Sequence, residues 1–264
     1  MFLEEKLHLS YDFTHLVKNV RNLLFDRDFI IGGKKILVAL ITLLYNYQKN
    51  KKLKLVRYLT RKHFAPTNLE RMKVKWAVDI FRPELVAALQ LLCEYGIAGF
   101  EDAMPLVEFL KIFWRFWEIH DISNTTQYFR QRSPDKMPFY SKHDARLEFL
   151  EEFILNWMSD WKNSAINKNQ FLSEETYDAL VFTCKSTASC IRHLLDEGFN
   201  YVLTRKFSTD DIERAHGAIR QQCGSNDHPH VAAALSAVDK IIRTGLAKTS
   251  IACNVPLYKE KKTY

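Results

Sequence analysis

Carboxylates are concentrated near the end of the chain, at the start of residues 206–224. Asp210 and Glu213 are three residues apart, so on a helix they share one face, with Arg214 and His216 close by. Two carboxylates on one face suit a divalent cation, and they equally suit the hydrogen-bond donors of a bound ligand. Acidic residues in a first helical turn are also ordinary capping, and that structural interpretation stays open beside the functional ones.

The same stretch has the start and stop signals of a helix. Ser208 is a capping residue at its beginning, and Gly224 ends it. Ile212 and Ile219 are seven residues apart, which places them two turns along one face. The sequence therefore predicts a helix that carries the carboxylates on its first turns.

The pattern of the whole chain is helical. Only 8 glycines and 7 prolines occur in 264 residues, and 47% of the residues are hydrophobic, which favours long elements around a packed core. The strongest helical signal spans residues 102–120, where apolar side chains cover more than one face, as is typical of the central helix of a bundle. Further helices are predicted at residues 10–25, 145–161 and 176–197.

The segments between these helices allow more specific predictions. Residues 36–47 are predicted to form an apolar helix or a buried strand, and residues 49–60 a basic helix. Residues 70–92 are predicted to be helical with an interruption at Pro83, because proline favours the first position of a new helix. Asp12 and His15 have a metal-ligand spacing, but a cap at the start of a helix is the preferred interpretation of Asp12.

Charge and cysteine content restrict the partners and the compartment. Residues 1–75 carry 16 Lys and Arg against 6 Asp and Glu, so an anionic partner such as nucleic acid or a nucleotide phosphate is expected there, with a solvated basic face as the alternative. The longest apolar run is about half of a membrane span, and residues 1–10 have no signal-peptide pattern, so no membrane association is expected. Five cysteines without paired spacing favour a reducing compartment.

Four separated blocks together resemble the P-element transposase superfamily, which includes the THAP-domain transposases of animals. The blocks are residues 12–22, 72–77, 121–124 and 201–224. Each block is short, but their order and spacing over about residues 10–245 make the resemblance specific.

The resemblance implies a mainly α chain, in which a GTP-binding helical insertion domain precedes a short strand and helices of an incomplete RNase H-like fold. Residues 1–25 would be a remnant of the RNase H-like region, and residues 26–200 the insertion domain. Residues 201–250 would be the returning RNase H-like segment, and residues 251–264 a basic tail.

The resemblance also implies roles for individual residues. Those that would hold the guanine nucleotide are Lys73, Val74, Asp121, Asn124 and Asp210. Glu213 corresponds to the catalytic glutamate, which helps to hold Mg²⁺ in a complete family member. A carboxylate suits guanine because N1–H and the exocyclic amine can both donate to it, a pairing that adenine does not offer.

Several features depart from the family. Arg82 stands where the family usually has serine, and Ala215 and His216 stand where it has aromatic residues. A two-metal nuclease of this type needs at least three carboxylates, and the family places two of them before the position of Asp12.

We therefore expect a truncated transposase fragment, nuclear or cytoplasmic, that binds GTP without cleaving DNA by itself. Two alternatives stay open: a helical scaffold without a ligand, and a nucleic-acid-binding protein that contacts DNA through residues 1–75. The sequence leaves the oligomeric state open.

Overall fold

The structure, a computed structural model, describes residues 7–244 and is mainly helical within them. Two short strands, β1 (Ile30–Ile31) and β2 (Lys34–Lys35), pair antiparallel with Ile30 opposite Lys35. The chain divides into two compact units, of which the first ends at Phe207 and the second begins at Ser208. The predicted mainly α fold is confirmed.

The first unit consists of short and medium-length helices. Its α-helices are α1 (Phe13–Asp26), α2 (Ala39–Gln48), α3 (Arg61–Phe64), α4 (Asn68–Arg71), α5 (Val74–Asp79), α6 (Pro83–Glu94), α7 (Met104–His120), α8 (Gln127–Gln131), α9 (Ala145–Glu148), α10 (Ile154–Ser164) and α11 (Glu174–Asp196). A π-helical turn, Phe149–Phe153, joins α9 to α10, and 3-10 helices occur at Pro134–Lys136, Lys168–Gln170 and Thr204–Phe207. No helix among the described residues is long and apolar enough to cross a membrane.

Capping residues begin several helices where the sequence predicts. Asp12 precedes α1, and its Oδ1 accepts the N–H of Thr14 at 2.9 Å, which confirms the capping role. Pro83 occupies the first turn of α6 after the predicted interruption. Ser173 caps α11 by accepting the N–H of Thr176 at 3.3 Å.

Helix α7 is the central helix of the first unit, as its sequence predicts. It packs against α1 and α6, and most of its side chains are buried. Phe109 lies 4.9 Å from Phe113 and 5.9 Å from Trp161, ring centre to ring centre, and Trp161 contacts Phe29 edge to face at 4.8 Å. Edge-to-face aromatic pairs add to the free energy gained from burying the rings, so this cluster fixes α7 relative to α10.

Residues 49–60 differ from the predicted basic helix and form turns and bends. Leu53 is 82% exposed, whereas Val56 is fully buried. Gln48, the buried last residue of α2, donates from Nε2 to the carbonyl oxygen of Val56 at 2.8 Å and accepts the N–H of Val56 at 3.0 Å. Four lysines within six residues would repel one another on a helix, and the side chain of Gln48 satisfies the buried backbone groups without one.

Residues 201–207 begin the segment in which the resemblance implies a short strand. Val202 forms a single β-bridge with Phe139, and the 3-10 helix Thr204–Phe207 follows directly. Residues 36–47, for which helix and strand were both open, include all of α2 except its last residue.

The second unit contains helices α12 (Asp210–Gln222) and α13 (Val231–Thr244), which pack against each other with Ala218 and Ala237 buried. The hydroxyl of Ser208 accepts the N–H of Asp210 at 3.2 Å, and Gly224 adopts a φ of +71° just after α12. The helix predicted in residues 206–224 is therefore confirmed. The predicted basic tail, residues 251–264, lies outside the described residues.

The Gln48 contact leads to a prediction about stability. We expect Gln48→Leu to lower the free energy of unfolding by about 2–4 kcal/mol, because the buried N–H and C=O of Val56 would both lose their partner. Urea denaturation followed by circular dichroism measures the change. The control, Lys52→Gln, alters an exposed side chain in the same turn and should change stability by less than about 0.5 kcal/mol. Equal stability of the two variants would contradict the prediction.

Candidate functional site

Asp121, the proposed guanine-recognition residue, lies at the end of α7. It is the C-cap residue, and its N–H donates to the carbonyl oxygen of Trp117 at 2.9 Å. Its Oδ2 accepts from Nζ of Lys136 at 2.6 Å, and its Oδ1 accepts from Nη1 of Arg205 at 2.8 Å. The Asp121 side chain is 19% exposed, so a carboxylate held by two cations faces the surface of the first unit.

Lys136 is the buried member of this cluster, since its side chain is only 3% exposed. It belongs to the loop of residues 134–139, which Arg146 holds through its guanidinium. Nη1 of Arg146 donates to the carbonyl oxygens of Asp135, at 2.9 Å, and Met137, and the guanidinium lies 3.9 Å from the ring centre of Phe139. Arg146 therefore positions the loop that delivers Lys136 to Asp121.

Arg205 reaches Asp121 from a different part of the chain, the segment of residues 202–207. The hydroxyl of Thr204 donates to the carbonyl oxygen of Ile119 at 2.6 Å, and the N–H of Arg205 donates to the carbonyl oxygen of Ile122 at 3.0 Å. These bonds attach residues 202–207 to the end of α7, and the β-bridge of Val202 attaches them to Phe139. The Arg205 guanidinium thus reaches Asp121 from a fixed backbone.

The loop of residues 121–127 is bonded to itself. Oδ1 of Asn124 accepts the N–H of Thr126 at 3.2 Å, and Nδ2 of Asn124 donates to the Ser123 hydroxyl at 3.2 Å. Buried Gln127 accepts the N–H of Ser123 at 2.7 Å and donates to the carbonyl oxygen of Asp121 at 2.9 Å. These bonds bring Asp121 and Asn124 together in one ordered loop.

His120, directly before Asp121, is fully buried and was not singled out by the sequence analysis. Its Nδ1 lies 2.8 Å from the carbonyl oxygen of Phe116 and therefore carries the proton, while Nε2 accepts from the Thr187 hydroxyl at 3.2 Å. Its ring packs against Phe116 and Phe13. Burial lowers the pKa of His120 to about 4, so the imidazole is neutral near pH 7. The sequence signal that could have identified His120 is its place at the end of an apolar helix, directly before an aspartate.

Lys73 and Val74 lie together at the start of α5, where Lys73 is the N-cap residue. Helix α5 packs on α1, which also contacts α7. Arg82, found where the family usually has serine, pairs with Glu84 at 2.5 Å and Asp79 at 3.4 Å. The arginine is therefore an ion-pair partner at the start of α6.

Asp210 and Glu213 lie in the second unit, in the first turn of α12. The N–H of Glu213 donates to the carbonyl oxygen of Thr209 at 2.9 Å. Asp211 forms an ion pair with Arg214. As predicted, the carboxylates fall on the opening turn of this helix.

Residues 14–137 match the family model of the TNP-like, GTP-binding insertion domain. The chain is 23% identical over 227 residues to the Transposable element P transposase of Drosophila melanogaster, a match that covers 85% of this chain and 29% of that protein. Its fold is similar to that of a chain in the Drosophila P element transposase strand transfer complex, with a TM-score of 0.75 and 20% identity over 92% of this chain and 52% of that chain. The chain thus spans about half of the matched structure and less of the curated relative.

The buried imidazole of His120 predicts a pH dependence of stability. Between pH 6.5 and about 4 the unfolded chain binds a proton that the folded chain does not, so folding stability falls as the pH falls through this window. We expect this residue to contribute about 2–3 kcal/mol of the loss between pH 7 and pH 4.5. Urea denaturation of His120→Gln at both pH values should show a correspondingly smaller loss. The control, His143→Gln at an exposed position, should behave like the unsubstituted protein; an unchanged pH dependence of His120→Gln would refute the assignment.

Proposed function

The chain is a P-element transposase-like protein, and on this premise we propose that its first unit binds GTP. The proposal depends above all on one observation. Both carboxylate oxygens of Asp121 are oriented by cations in a loop whose own side chains hold it in place. A preformed carboxylate of this kind suits a ligand that offers two parallel donors, because little ordering is left to be done when the ligand binds.

Guanine is such a ligand, since its N1–H and exocyclic amine can both donate to one carboxylate. Each carboxylate oxygen has more than one lone pair, so a bonded cation does not by itself exhaust its acceptor capacity. Adenine presents an acceptor at N1 and would leave the carboxylate without its second donor, which costs affinity.

Fewer observations support the other residues of the proposed site than support Asp121. Asn124 shares the loop of Asp121, and its side-chain amide can offer the base a further polar contact. Lys73 suits the phosphates as a point charge at the start of α5, next to Val74. The role of Asp210 in base recognition stays a prediction from the resemblance.

Titration calorimetry with GTP and ATP tests the proposal. We expect GTP to bind at least tenfold more tightly than ATP, because the wrong base leaves a charged acceptor unpaired. Asp121→Asn should remove this preference, and the double variant Asp121→Asn/Lys136→Met should do so without leaving buried Lys136 unpaired.

Asp135→Asn is the matched control, since it alters a carboxylate that pairs with Arg115 rather than with Lys136. It should retain the preference for GTP. Equal or absent binding of both nucleotides to the unsubstituted protein would remove the proposal, and so would an unchanged preference in a folded double variant. If neither nucleotide binds, a helical scaffold without a ligand becomes the better description.

A second candidate function, contact with DNA, is supported by a concentration of positive charge. Nine Lys and Arg and no Asp or Glu occur between Phe29 and Leu69. The turn after α2 exposes Lys51, Lys52 and Lys54, and Nζ of Lys51 lies 3.5 Å from the ring centre of Tyr47. Exposed lysines on a turn that follows directly from a helix suit the phosphate backbone of a duplex, whatever the base sequence of that duplex.

The salt dependence of duplex binding tests this second candidate. Replacing Lys51, Lys52 and Lys54 with glutamine should weaken binding and reduce the slope of log K against log salt by about 2–3, since each phosphate that a lysine no longer neutralises lowers the slope by about 0.9. A control with glutamine at the exposed lysines 111, 142 and 185 should keep the original slope. Equal slopes in the two triple variants would contradict the proposal.

Strand cleavage is a separate matter from either proposal. The carboxylate of Glu213 fits Mg²⁺, a hard cation that prefers oxygen ligands, and in a two-metal nuclease such ions stabilise the charge that develops on the reacting oxygens. The catalytic role of Glu213 stays a prediction from the resemblance. A nuclear location also stays a prediction from the resemblance.

A further inference from the structure

Arg21, on α1, is a cation in the interior of the first unit. It is only 1% exposed, and its Nη2 donates to the carbonyl oxygen of Arg71 at 3.1 Å. Among the residues that the structure describes, its Nε has no hydrogen-bond acceptor and no carboxylate forms an ion pair with it. Because buried charges are normally paired and bonded, this guanidinium lacks a direct counter-charge in the fold.

Asp26, the acidic side chain whose charge acts on Arg21, is bound by another arginine. Its two carboxylate oxygens each accept from a terminal nitrogen of Arg71 at 2.7 Å. Two guanidinium groups therefore share one carboxylate, so one positive charge is left uncompensated. Burial and the charge of Arg71 lower the pKa of Arg21 to about 10, and Asp26 offsets them only in part. Arg21 is still positively charged at pH 7.

The carbonyl oxygen that Arg21 binds belongs to the turn in front of α5. Arg71 is the last residue of α4, and Lys73, two residues later, is the N-cap residue of α5. The N–H of Lys73 donates to the carbonyl oxygen of Glu70 at 3.1 Å, so the turn is ordered around Arg71. The uncompensated charge therefore lies beside the backbone that carries the lysine proposed to bind the phosphates.

We propose that the phosphates of the nucleotide supply the counter-charge that Arg21 lacks, so that Arg21 strengthens their binding at Lys73 without touching them. The proposal rests on the GTP-binding function proposed above and adds a residue to it. Charges that are separated by protein interact through a lower effective dielectric than charges in water, and salt screens them less. A buried guanidinium can therefore act on phosphates that it does not contact.

This role differs from that of a structural anchor. The guanine base is neutral, so an effect of charge grows with the number of phosphates and leaves the preference for guanine unchanged. A side chain that only holds the carbonyl oxygen of Arg71 would place Lys73 and Val74 equally well or badly for every guanine nucleotide. The number of phosphates therefore separates the two roles.

Titration calorimetry of the whole chain with GMP, GDP and GTP tests the proposal. The affinity of the unsubstituted protein should rise with each added phosphate. Arg21→Gln still offers a donor to the carbonyl oxygen of Arg71 but has no charge, so it should bind GTP about three- to tenfold more weakly and GMP with little change. Its preference for GTP over ATP should persist. Arg21→Lys retains the charge and should retain the gain in affinity from GMP to GTP.

Arg27→Gln is the matched control, because Arg27 ends the same helix and also donates to backbone carbonyl oxygens, those of Lys168 and Phe171. It should bind GMP and GTP like the unsubstituted protein. A folded Arg21→Gln that binds the three nucleotides as before, or that loses affinity for all three equally, overturns the proposal. If Arg21→Gln does not fold, loss of the gain from GMP to GTP in Arg21→Lys overturns it. In these cases the proposed function stands, whereas absent GTP binding by the unsubstituted protein overturns both.

Discussion

Lys136, whose side chain is almost fully buried, imposes the constraint on which the polar residues around Asp121 depend. The Nζ of Lys136 needs a counter-ion, and Asp121 supplies it at 2.6 Å. Because the pair joins the loop of residues 134–139 to the end of α7, both backbones must be placed accurately. Arg146 holds the first of them through carbonyl oxygens, and the loop of residues 121–127 holds the second through its own side chains. The charge at Asp121 is thus a structural requirement before it is a binding feature.

His120 lies between the aromatic cluster around α7 and the polar residues around Asp121. An aromatic cluster fixes most of α7, but the last turn must also satisfy polar groups that are out of reach of water. A neutral imidazole does so by donating to Phe116 and accepting from Thr187, which lies on α11. Burial holds the pKa of His120 near 4, so the imidazole adds no charge of its own next to Asp121, Lys136 and Arg205. The position of Asp121 at the end of α7 therefore depends on how three helices, α7, α1 and α11, pack around His120.

Local signals predicted much of the fold and less of the site. Helices α1, α6 and α11 begin where caps or proline indicate, since capping depends on neighbours within three residues. The basic helix predicted at residues 49–60 was wrong because the side-chain amide of Gln48 satisfies the backbone of Val56, eight residues further along the chain. Lys136 and Arg205 were missed for a similar reason, as they meet Asp121 from 15 and 84 residues away and leave no periodic pattern. The nucleotide roles of Lys73 and Asn124 stay predictions, because family resemblance rather than geometry suggested them.

The bond between Gln48 and Val56 has a further consequence for how the surface of this chain can change over evolution. Gln48 bonds to backbone atoms of Val56, and the exposed side chains from Lys49 to Leu55 take no part in that bond. Substitutions among these side chains therefore alter the electrostatic potential of the surface while leaving the anchoring of the turn intact. Related chains can in this way acquire or lose affinity for anionic polymers by drift at exposed positions, without compensating changes in the core.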